Sequence, residues 1–251
     1  GVESPTLTNS DVVSDSTPAV DFSSSSNATV TNNTIVDFDD PAVDDDDTGL
    51  DVSNGFETVS DNDIQDFETQ IAAASDTNIS ELLDANDFED NADAQSVVAL
   101  DANGDALGDA IFGSIDAADD AGDAVDIDVS NGDYDEAVTI DSADVTVSGP
   151  ATTTAELSSA VTLSSGTAVT FENFTVTNGG VTYDGTGDTT IANINLADDN
   201  AQQIVVSSGS VVDIDGVDVG DANGDAVDIT ADASNVSVTD VDATDVASNI
   251  C

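Results

Sequence analysis

The chain has 251 residues, of which 54 are acidic and none is lysine, arginine or histidine, so its formal net charge is −54. A chain without cationic side chains cannot displace the counterions of a nucleic acid or bind an anionic membrane surface. The composition also excludes a histidine base, a lysine Schiff base and histidine-ligated metals, and we therefore expect a protein that is not an enzyme.

The composition must be reconciled with a folded chain. High net charge and 4% aromatic residues are typical of disorder, but 39% of the residues are apolar and many recur at regular spacing. Folding at this charge requires screening, and in molar salt the Debye length falls to about 3 Å. The aspartate-rich, lysine-free composition resembles that of secreted haloarchaeal proteins, so we expect the protein of an extreme halophile.

The N-terminus shows no charged or apolar leader, and no apolar run is long enough to span a membrane. We therefore expect a mature chain, freed of its signal peptide, that is extracellular or on the cell surface. Glycosylation is predicted at five N-x-S/T sequons, of which the fourth along the chain is the least favoured because it lies at a predicted coil corner. The sequons are Asn27, Asn32, Asn78 and Asn235, together with the least favoured, Asn173.

The first part of the chain predicts an arm and a small α/β region. Residues 1–26 are rich in Ser, Thr, Asp and Pro without periodicity, which predicts a flexible arm. Residues 27–110 form the small N-terminal region, which begins with a β-branched segment over 28–38. That segment predicts an isolated strand.

Two short helices and a hairpin are predicted next. Apolar residues at helical spacing predict helices over 61–74 and 80–88. Two apolar runs around an Asn-Gly turn predict a β-hairpin over 96–111. The apolar residues of the helices are Ile64, Phe67 and Ile71 in the first, and Leu82, Leu83 and Phe88 in the second.

Residues 111–150 contain a short helix over 114–121, a strand, a Gly-x-Tyr-x-Glu motif at 132–136 and two further strands, the last ending in glycine. This order resembles the opening of right-handed parallel β-helix proteins of the pectin-lyase-like superfamily, most closely the secreted ones grouped with the periplasmic copper-binding type. The resemblance implies a mainly β fold with a right-handed parallel β-helix over 111–251, capped by helix 114–121. The superfamily's usual Arg, Lys and His residues and copper ligands do not exist here.

Spacing predicts the same fold independently. Three sets of apolar-x-apolar pairs recur every 20–24 residues, which predicts about five coils of three strands each. The first set is Val138/Ile140, Val161/Leu163, Val181/Tyr183, Ile204/Val206 and Val227/Ile229. The second is Val145/Val147, Val169/Phe171, Thr189/Ile191, Val212/Ile214 and Val236/Val238. The third is Phe174/Val176, Ile194/Leu196, Val217/Val219 and Val241/Ala243.

Small or turn-forming residues separate the second and third sets. Asn173 and Asn193 are predicted to stack and pair their amides between coils, and Gly149 is predicted to occupy the same corner in an earlier coil.

Two segments match the first half of a calcium loop, but their glycine is misplaced and an Asn-Gly turn is the simpler interpretation. We expect no required cofactor, and only weak association of Ca²⁺ or other cations with the carboxylates. The candidate ligands are Asp101, Asn103 and Asp105 in one segment and Asp221, Asn223 and Asp225 in the other.

An end of a β-helix without a cap leaves strand edges open for strand addition. The strand at 28–38 therefore either docks on a neighbouring subunit or packs on its own chain, and the cysteine at the end of the chain either bonds to a partner or stays free. The candidate assembly residues are Val30, Ile35, Val36, Phe38 and Cys251.

These features favour a structural protein that assembles with itself into a cell-surface filament, sheath or surface layer. Two alternatives remain open. One is an adhesin or viral-spike module that binds cell-surface glycans, and the other is a glycan hydrolase that depends on two carboxylates alone.

Overall fold

The computed structural model describes most of the chain, in two compact units. The first unit comprises Gly1–Val98 and Asp105–Ala121, and the second comprises Ala99–Gly104 and Gly122–Cys251. The residues that the structure describes are 4–14, 17–37, 48–65, 67, 69–74, 77, 79–90, 93–94, 96–100, 110–122, 124–151, 155–164, 166–197, 204–208, 211–220, 225–229, 235–243 and 248–250.

Three coils of a parallel β-solenoid begin the first unit. Their strands are β1 (Thr6–Thr8), β2 (Asp11–Ser14), β3 (Val20–Asp21), β4 (Ala28–Thr31), β5 (Thr34–Asp37), β6 (Thr48–Asp51), β7 (Phe56–Ser60), β8 (Asp63–Gln65) and β9 (Thr69–Ala72). Each coil contributes one strand to each of three parallel sheets, β1-β4-β7, β2-β5-β8 and β3-β6-β9. Each strand therefore lies beside the equivalent strand of the next coil.

Side chains alternate between the interior and the surface along these strands. Val30 of β4, Ile35 of β5 and Leu50 of β6 point inward and are fully buried in the middle coil. They lie in register with apolar residues of the coils on either side. The first unit thus has a stacked apolar core of its own.

The predicted arm and isolated strand are wrong. Residues 6–21 contain β1, β2 and β3 instead of a flexible arm, because short alternating segments such as Thr-Leu-Thr suffice for a strand when a neighbouring coil supplies its partner. Residues 28–38 form two strands, β4 and β5, separated by a corner. Both are paired on both sides within the same chain.

The predicted helix over 61–74 is also wrong. Ile64 and Ile71 are buried, but they point inward from two successive strands, β8 and β9, and Phe67 is buried in the segment between them. Spacings of three and four residues fit a helix face, and here they also fit a strand, a corner and a second strand. Pairing with the coil before, which local periodicity does not report, decides for the strands.

The rest of the first unit matches the predictions more closely. Helix α1 (Ile79–Ala85) confirms the helix predicted over 80–88, and two short strands follow it, β10 (Glu89–Asp90) and β11 (Asp93–Ala94). Strands β12 (Val97–Leu100) and β13 (Ala110–Phe112) pair antiparallel, as the hairpin predicts, although its turn lies outside the described residues.

Helix α2 (Ile115–Asp120) confirms the helix predicted over 114–121. The Ser114 side chain caps it by accepting a hydrogen bond from the Ala117 N–H. It belongs to the first unit and contacts β13 there. The main segment of the second unit therefore begins at Gly122, eleven residues after the boundary predicted at residue 111.

The second unit is a longer parallel β-solenoid, so the predicted fold class is confirmed. The described strands of the chain form about 8 turns, whereas the prediction gave about five coils and only for residues 111–251. Its strands are β14 (Asp126–Val129), β15 (Gly132–Tyr134), β16 (Val138–Ile140), β17 (Val145–Ser148), β18 (Ala155–Leu157), β19 (Val161–Leu163), β20 (Val169–Val176), β21 (Val181–Tyr183), β22 (Asp188–Leu196), β23 (Ile204–Val206), β24 (Val211–Asp215), β25 (Asp218–Val219), β26 (Asp225–Ile229), β27 (Val236–Thr239), β28 (Asp242–Ala243) and β29 (Ser248–Ile250).

Three sheets enclose the core of the second unit. One sheet is β16-β19-β21-β23-β26-β29, and a second is β14-β17-β20-β22-β24-β27. Strands β20 and β22 are long, and their second halves join β15, β18, β25 and β28 in the third sheet.

The predicted register is confirmed. Val138, Val161, Val181, Ile204 and Val227 of the first set face one another in successive strands. The second and third sets align in the same way, as Phe171 with Ile191 and Phe174 with Ile194 show. Phe171 and Phe174 stack across the interior with ring centroids 4.5 Å apart.

Candidate functional site

A residue in the left-handed backbone region turns the chain at an equivalent corner in both units. These residues are Asn9, Asn32 and Asp61 in the first unit, and Asn173, Asn193, Gly216 and Asp240 in the second. Asn, Asp and Gly adopt this region most readily. Asn193 Nδ2 donates to Asn173 Oδ1 at 3.1 Å, which confirms the predicted amide pairing, and Asn32 Nδ2 donates to Asn9 Oδ1 in the same way.

In the first unit a buried asparagine ladder follows this corner. Asn33 Nδ2 donates to Asn62 Oδ1, and Asn62 Nδ2 donates to Asn86 Oδ1, both at 2.8 Å. The same two amide nitrogens also donate to the carbonyl oxygens of Leu7 and Val30. Asn33 and Asn62 are 3% and 1% exposed, so this ladder fills part of the core and satisfies its own polar atoms.

Outward-facing residues form columns along the solenoid, and acidic residues alternate with neutral ones in two of them. Like charges directly opposite each other on neighbouring strands are destabilising, and alternation doubles their axial spacing to about 10 Å. One column of the second unit is Asp128, Ser148, Glu172, Ala192, Asp215 and Thr239. A column of the first unit is Asp11, Thr34 and Asp63.

Hydroxyl groups of adjacent coils donate to these carboxylates. Ser148 Oγ donates to Glu172 Oε1 at 3.2 Å, and Thr239 Oγ1 donates to Asp215 Oδ1 at 2.6 Å. The chain has no lysine, arginine or histidine, and hydroxyl groups act here as side-chain donors to the carboxylates.

Acidic residues lie directly opposite each other at a few rungs. Asp218 faces Asp242 in the third sheet of the second unit, and Asp133 faces Glu156. Such pairs repel each other, and dissolved cations weaken this repulsion by screening it.

Local contacts shift two carboxyl pKa values in opposite directions. Hydrogen bonds from the Ser23 hydroxyl and N–H lower the pKa of Asp21. Partial burial, followed by the neighbouring Asp126 carboxylate, raises the pKa of Asp128. The raised pKa of Asp128 means that the fold disfavours the charged form of this side chain.

The β1-β4-β7 sheet presents two columns of hydroxyl groups. They are Thr6, Thr29 and Thr58 in one column, and Thr8, Thr31 and Ser60 in the other. Every outward position in these two columns is neutral, although 22% of the chain is charged. These two columns therefore add no carboxylate repulsion between successive coils.

The first coil, which comprises β1–β3, exposes part of the core at its edge. Each of its strands has one neighbouring strand among the described residues, in the second coil. Its inward residues Leu7 and Val12 are partly exposed, whereas the matching Val30 and Ile35 of the second coil are fully buried. An open strand edge thus lies beside an incompletely covered core.

The last coil, which comprises β27–β29, also exposes part of the core at its edge. Each strand is paired with the preceding coil, and within the described residues no strand lies on its other side. Val236 and Val238 are partly exposed, whereas Val212 and Ile214 of the preceding coil are fully buried. Open backbone groups and exposed apolar side chains make both terminal coils candidate docking surfaces.

The predicted cation ligands remain untested. Asp101, Asn103, Asp105, Asp221 and Asn223 lie outside the described residues, and Asp225 begins strand β26. Within the part of the chain that the structure describes, no group of three or more His, Cys, Asp or Glu side chains is arranged to hold a metal ion.

The sequons differ in their accessibility. Asn27 and Asn235 are exposed and immediately precede strands β4 and β27. The amide of Asn32 and the side-chain oxygen of Asn173 take part in the corner hydrogen bonds, so a glycan there would compete with the stacking. Asn78 lies outside the described residues.

Two of the predicted assembly residues are buried in the core instead of lying on a surface that could contact a partner. Val30 and Ile35 are fully buried inside their own chain, so they are wrong as residues of a docking surface. Val36 faces outward and is partly exposed, and Phe38 and Cys251 lie outside the described residues. Among the described residues, partly exposed inward-facing apolar side chains lie instead at the two terminal coils.

Sequence reasoning missed the first coil, although a signal for it exists. TLTNSDVV at 6–13, TVTNNTIV at 29–36 and TVSDNDIQ at 58–65 are variants of one repeat. Each has the pattern hydroxyl, apolar, hydroxyl, corner residue, and then a polar residue at the inward position. Because that inward position is Ser10, Asn33 or Asn62, a search for apolar pairs overlooks it.

Comparisons with known proteins identify no relative. No family model matches the chain, and neither the curated proteins nor the solved structures contain a match. The resemblance to pectin-lyase-like proteins therefore stays a prediction, while the parallel β-solenoid is a finding. Among the described helices, none is long and apolar enough to cross a membrane.

Proposed function

We propose that this protein is a structural subunit that assembles with itself into an extracellular filament, sheath or surface layer of an extreme halophile. One observation carries the proposal: both terminal coils combine an open strand edge with partly exposed core residues. Two different edges that fit each other form a heterologous contact, and such contacts generate open filaments when they do not close into a ring.

The strands of the two edges have compatible directions. Among the described strands, none lies on the preceding side of the first coil and none lies on the following side of the last coil. A last coil placed beside a first coil therefore continues a parallel sheet. The contact would bury the exposed valine and leucine side chains and satisfy backbone groups at the same time.

High salt is part of the proposal. Copies that each carry a formal charge of −54 repel one another at low ionic strength, and molar salt reduces the range of that repulsion to about 3 Å. The absence of lysine, arginine and histidine supports a role without catalysis, because acid–base and nucleophilic mechanisms draw mostly on these residue types.

The test is electron microscopy with light scattering on the full chain in molar KCl and at stepwise lower salt. The proposal predicts ordered fibres or sheets at high salt and their loss at low salt. A chain that remains monomeric at every salt concentration and protein concentration would contradict it. A glycan-binding screen would then test the adhesin alternative.

A further inference from the structure

We infer that the partner of the last coil is the first coil of a second copy, with Ser237 beside Thr6 and Thr239 beside Thr8. This inference rests on the proposed function, and it adds the register in which two copies meet. It follows from the match between the two coils in backbone conformation, side-chain direction and charge.

The two coils share one conformational pattern. In the last coil Ser237 points outward, Val238 inward and Thr239 outward, and Asp240 then turns the corner with a φ of 48°. In the first coil Thr6, Leu7 and Thr8 have the same directions, and Asn9 turns the corner with a φ of 50°. After each corner residue comes one residue, Val241 or Ser10, and then an exposed aspartate, Asp242 or Asp11.

Only one register aligns these corners. With Asp240 beside Asn9, Val238 lies on Leu7, so the two partly exposed apolar side chains cover each other. A shift of one residue would place Val238 against an outward threonine and move every inward side chain to the surface. Alignment of the corners therefore fixes the strand pairing between copies.

The corner supplies a hydrogen bond of a type already present within the chain. Asn32 Nδ2 donates to Asn9 Oδ1 of the preceding coil, and Asn193 Nδ2 donates to Asn173 Oδ1 of the preceding coil. In the inferred stack Asn9 follows Asp240. Its amide is placed to donate to the Asp240 carboxylate, which is a stronger acceptor than an amide oxygen.

The inferred contact brings neutral residues together on one sheet and two carboxylates together on the adjoining sheet, so it is possible but needs salt. Ser237 and Thr239 extend the neutral hydroxyl columns of β1, so no carboxylate faces another on this sheet. On the adjoining sheet Asp242 would face Asp11. The chain already holds one such pair, Asp218 beside Asp242, at the same rung spacing. Screening that allows the internal pair also allows the intermolecular one.

Disulfide trapping tests the register in the full chain. In a Cys251→Ser background, which removes the native thiol, the pair Thr6→Cys and Ser237→Cys would place two cysteines of different copies on adjacent rungs. Adjacent rungs are about 4.8 Å apart, which suits a disulfide. We expect a ladder of covalent oligomers on non-reducing denaturing gels after mild oxidation at molar salt, and no ladder at low salt.

The control pair is Thr58→Cys with Ser237→Cys. Thr58 is exposed and lies in the same hydroxyl column as Thr6, but two coils further along, so its cysteine would be roughly 14 Å from the partner. The inferred register predicts at least several-fold less crosslinked oligomer for this control than for the Thr6 pair.

The outcomes separate the register from the proposed function. Equal crosslinking by both pairs, or crosslinking only within one chain, would overturn the register. Assembly seen by light scattering without any crosslinking of the Thr6 pair would overturn the register and leave the proposed function standing. If the Cys251→Ser chain without further changes shows no assembly at high salt, both fail together.

Discussion

The residue that follows the corner is polar in the first unit and apolar in the second. Asn33 and Asn62 fill this position with a buried amide ladder, whereas Phe174 and Ile194 fill it with packed apolar side chains. The backbone before it is the same, a residue in the left-handed region. The same corner conformation can thus be followed by a polar or an apolar core residue, provided that the equivalent residues of the adjacent coils have the same polarity.

The match between the core residues of adjacent coils therefore matters more than the polarity of the core residue in any one coil. A buried amide is tolerated in the first unit because its neighbours supply donors and acceptors. A buried ring is tolerated in the second unit because the adjacent rungs are apolar and close-packed. Replacing the polar core residue of one coil by an apolar one, or the reverse, should therefore lower the free energy of unfolding in either unit.

The largest effect is expected from Phe174→Asn. The substitution removes the ring that stacks on Phe171 and leaves an amide without ladder partners among apolar rungs. We expect the free energy of unfolding of the second unit to fall by about 4–5 kcal/mol. Urea unfolding at constant molar KCl measures this, with Phe174→Leu as the milder control. A loss below that of the control would contradict the need for matched rungs.

The reverse exchange, Asn62→Leu, should cost the first unit about 3 kcal/mol, because it strips hydrogen bonds from the buried Asn33 amide and backbone N–H. The matched control is Asn195→Leu, which changes an outward asparagine on a strand of the same kind. Urea unfolding under the same conditions compares the two. Equal losses would show that the ladder has no special role.

The exposed corner ladder should contribute less. Asn193→Ala removes the hydrogen bond to Asn173 and places alanine at a φ of 53°, which we expect to cost about 1 kcal/mol. Asn193→Gly should recover most of this loss, since Gly216 occupies the equivalent corner one coil later. If glycine were as costly as alanine, backbone strain would not be the main term.

The smallest effect concerns Asp128, whose pKa is raised by burial and by Asp126. A raised carboxyl pKa in the folded state means that the charged form destabilises the fold above that pKa, and that the penalty disappears as the pH falls through it. Asp128→Asn should therefore be more stable than the parent at neutral pH by a few tenths of a kcal/mol, an amount limited by solvent screening.

The parent chain and Asp128→Asn should become equally stable at a pH below the usual aspartate pKa, where the side chain at position 128 is neutral in both. Unfolding curves across this pH range test the sign. A parent chain that is more stable than the variant at neutral pH would contradict it.

The two units also differ in how much of their fold the sequence predicts. In the second unit the apolar pairs and their registers are predicted residue by residue, because successive equivalents such as Asn173 and Asn193 are separated by nearly constant steps. In the first unit the step from Ser10 to Asn33 is 23 residues and that from Asn33 to Asn62 is 29. The uneven spacing and the polar ladder together conceal the repeat from a search for apolar periodicity.

The candidate site was predictable only in part. An uncapped solenoid end is expected from the last strands, and Val236 and Val238 of the last described coil are partly exposed. The sequence predicts residues 28–38 as the segment that docks on such an end. A β-branched segment indicates a strand, but it does not indicate whether that strand is central or at the edge of a sheet. Only the pairing of β1 with β4 and of β4 with β7 shows which strand keeps an open side.

The most direct test of end-to-end assembly is the light-scattering mass of the full chain at molar KCl in two single variants. Val238→Asp places a charge on the partly exposed core of the last coil, and Val211→Asp places the same charge on an outward valine that is 41% exposed on β24. The account predicts that the parent and Val211→Asp form large assemblies, and that Val238→Asp remains a folded monomer by circular dichroism. Assembly of Val238→Asp to the same mass as the parent would contradict it.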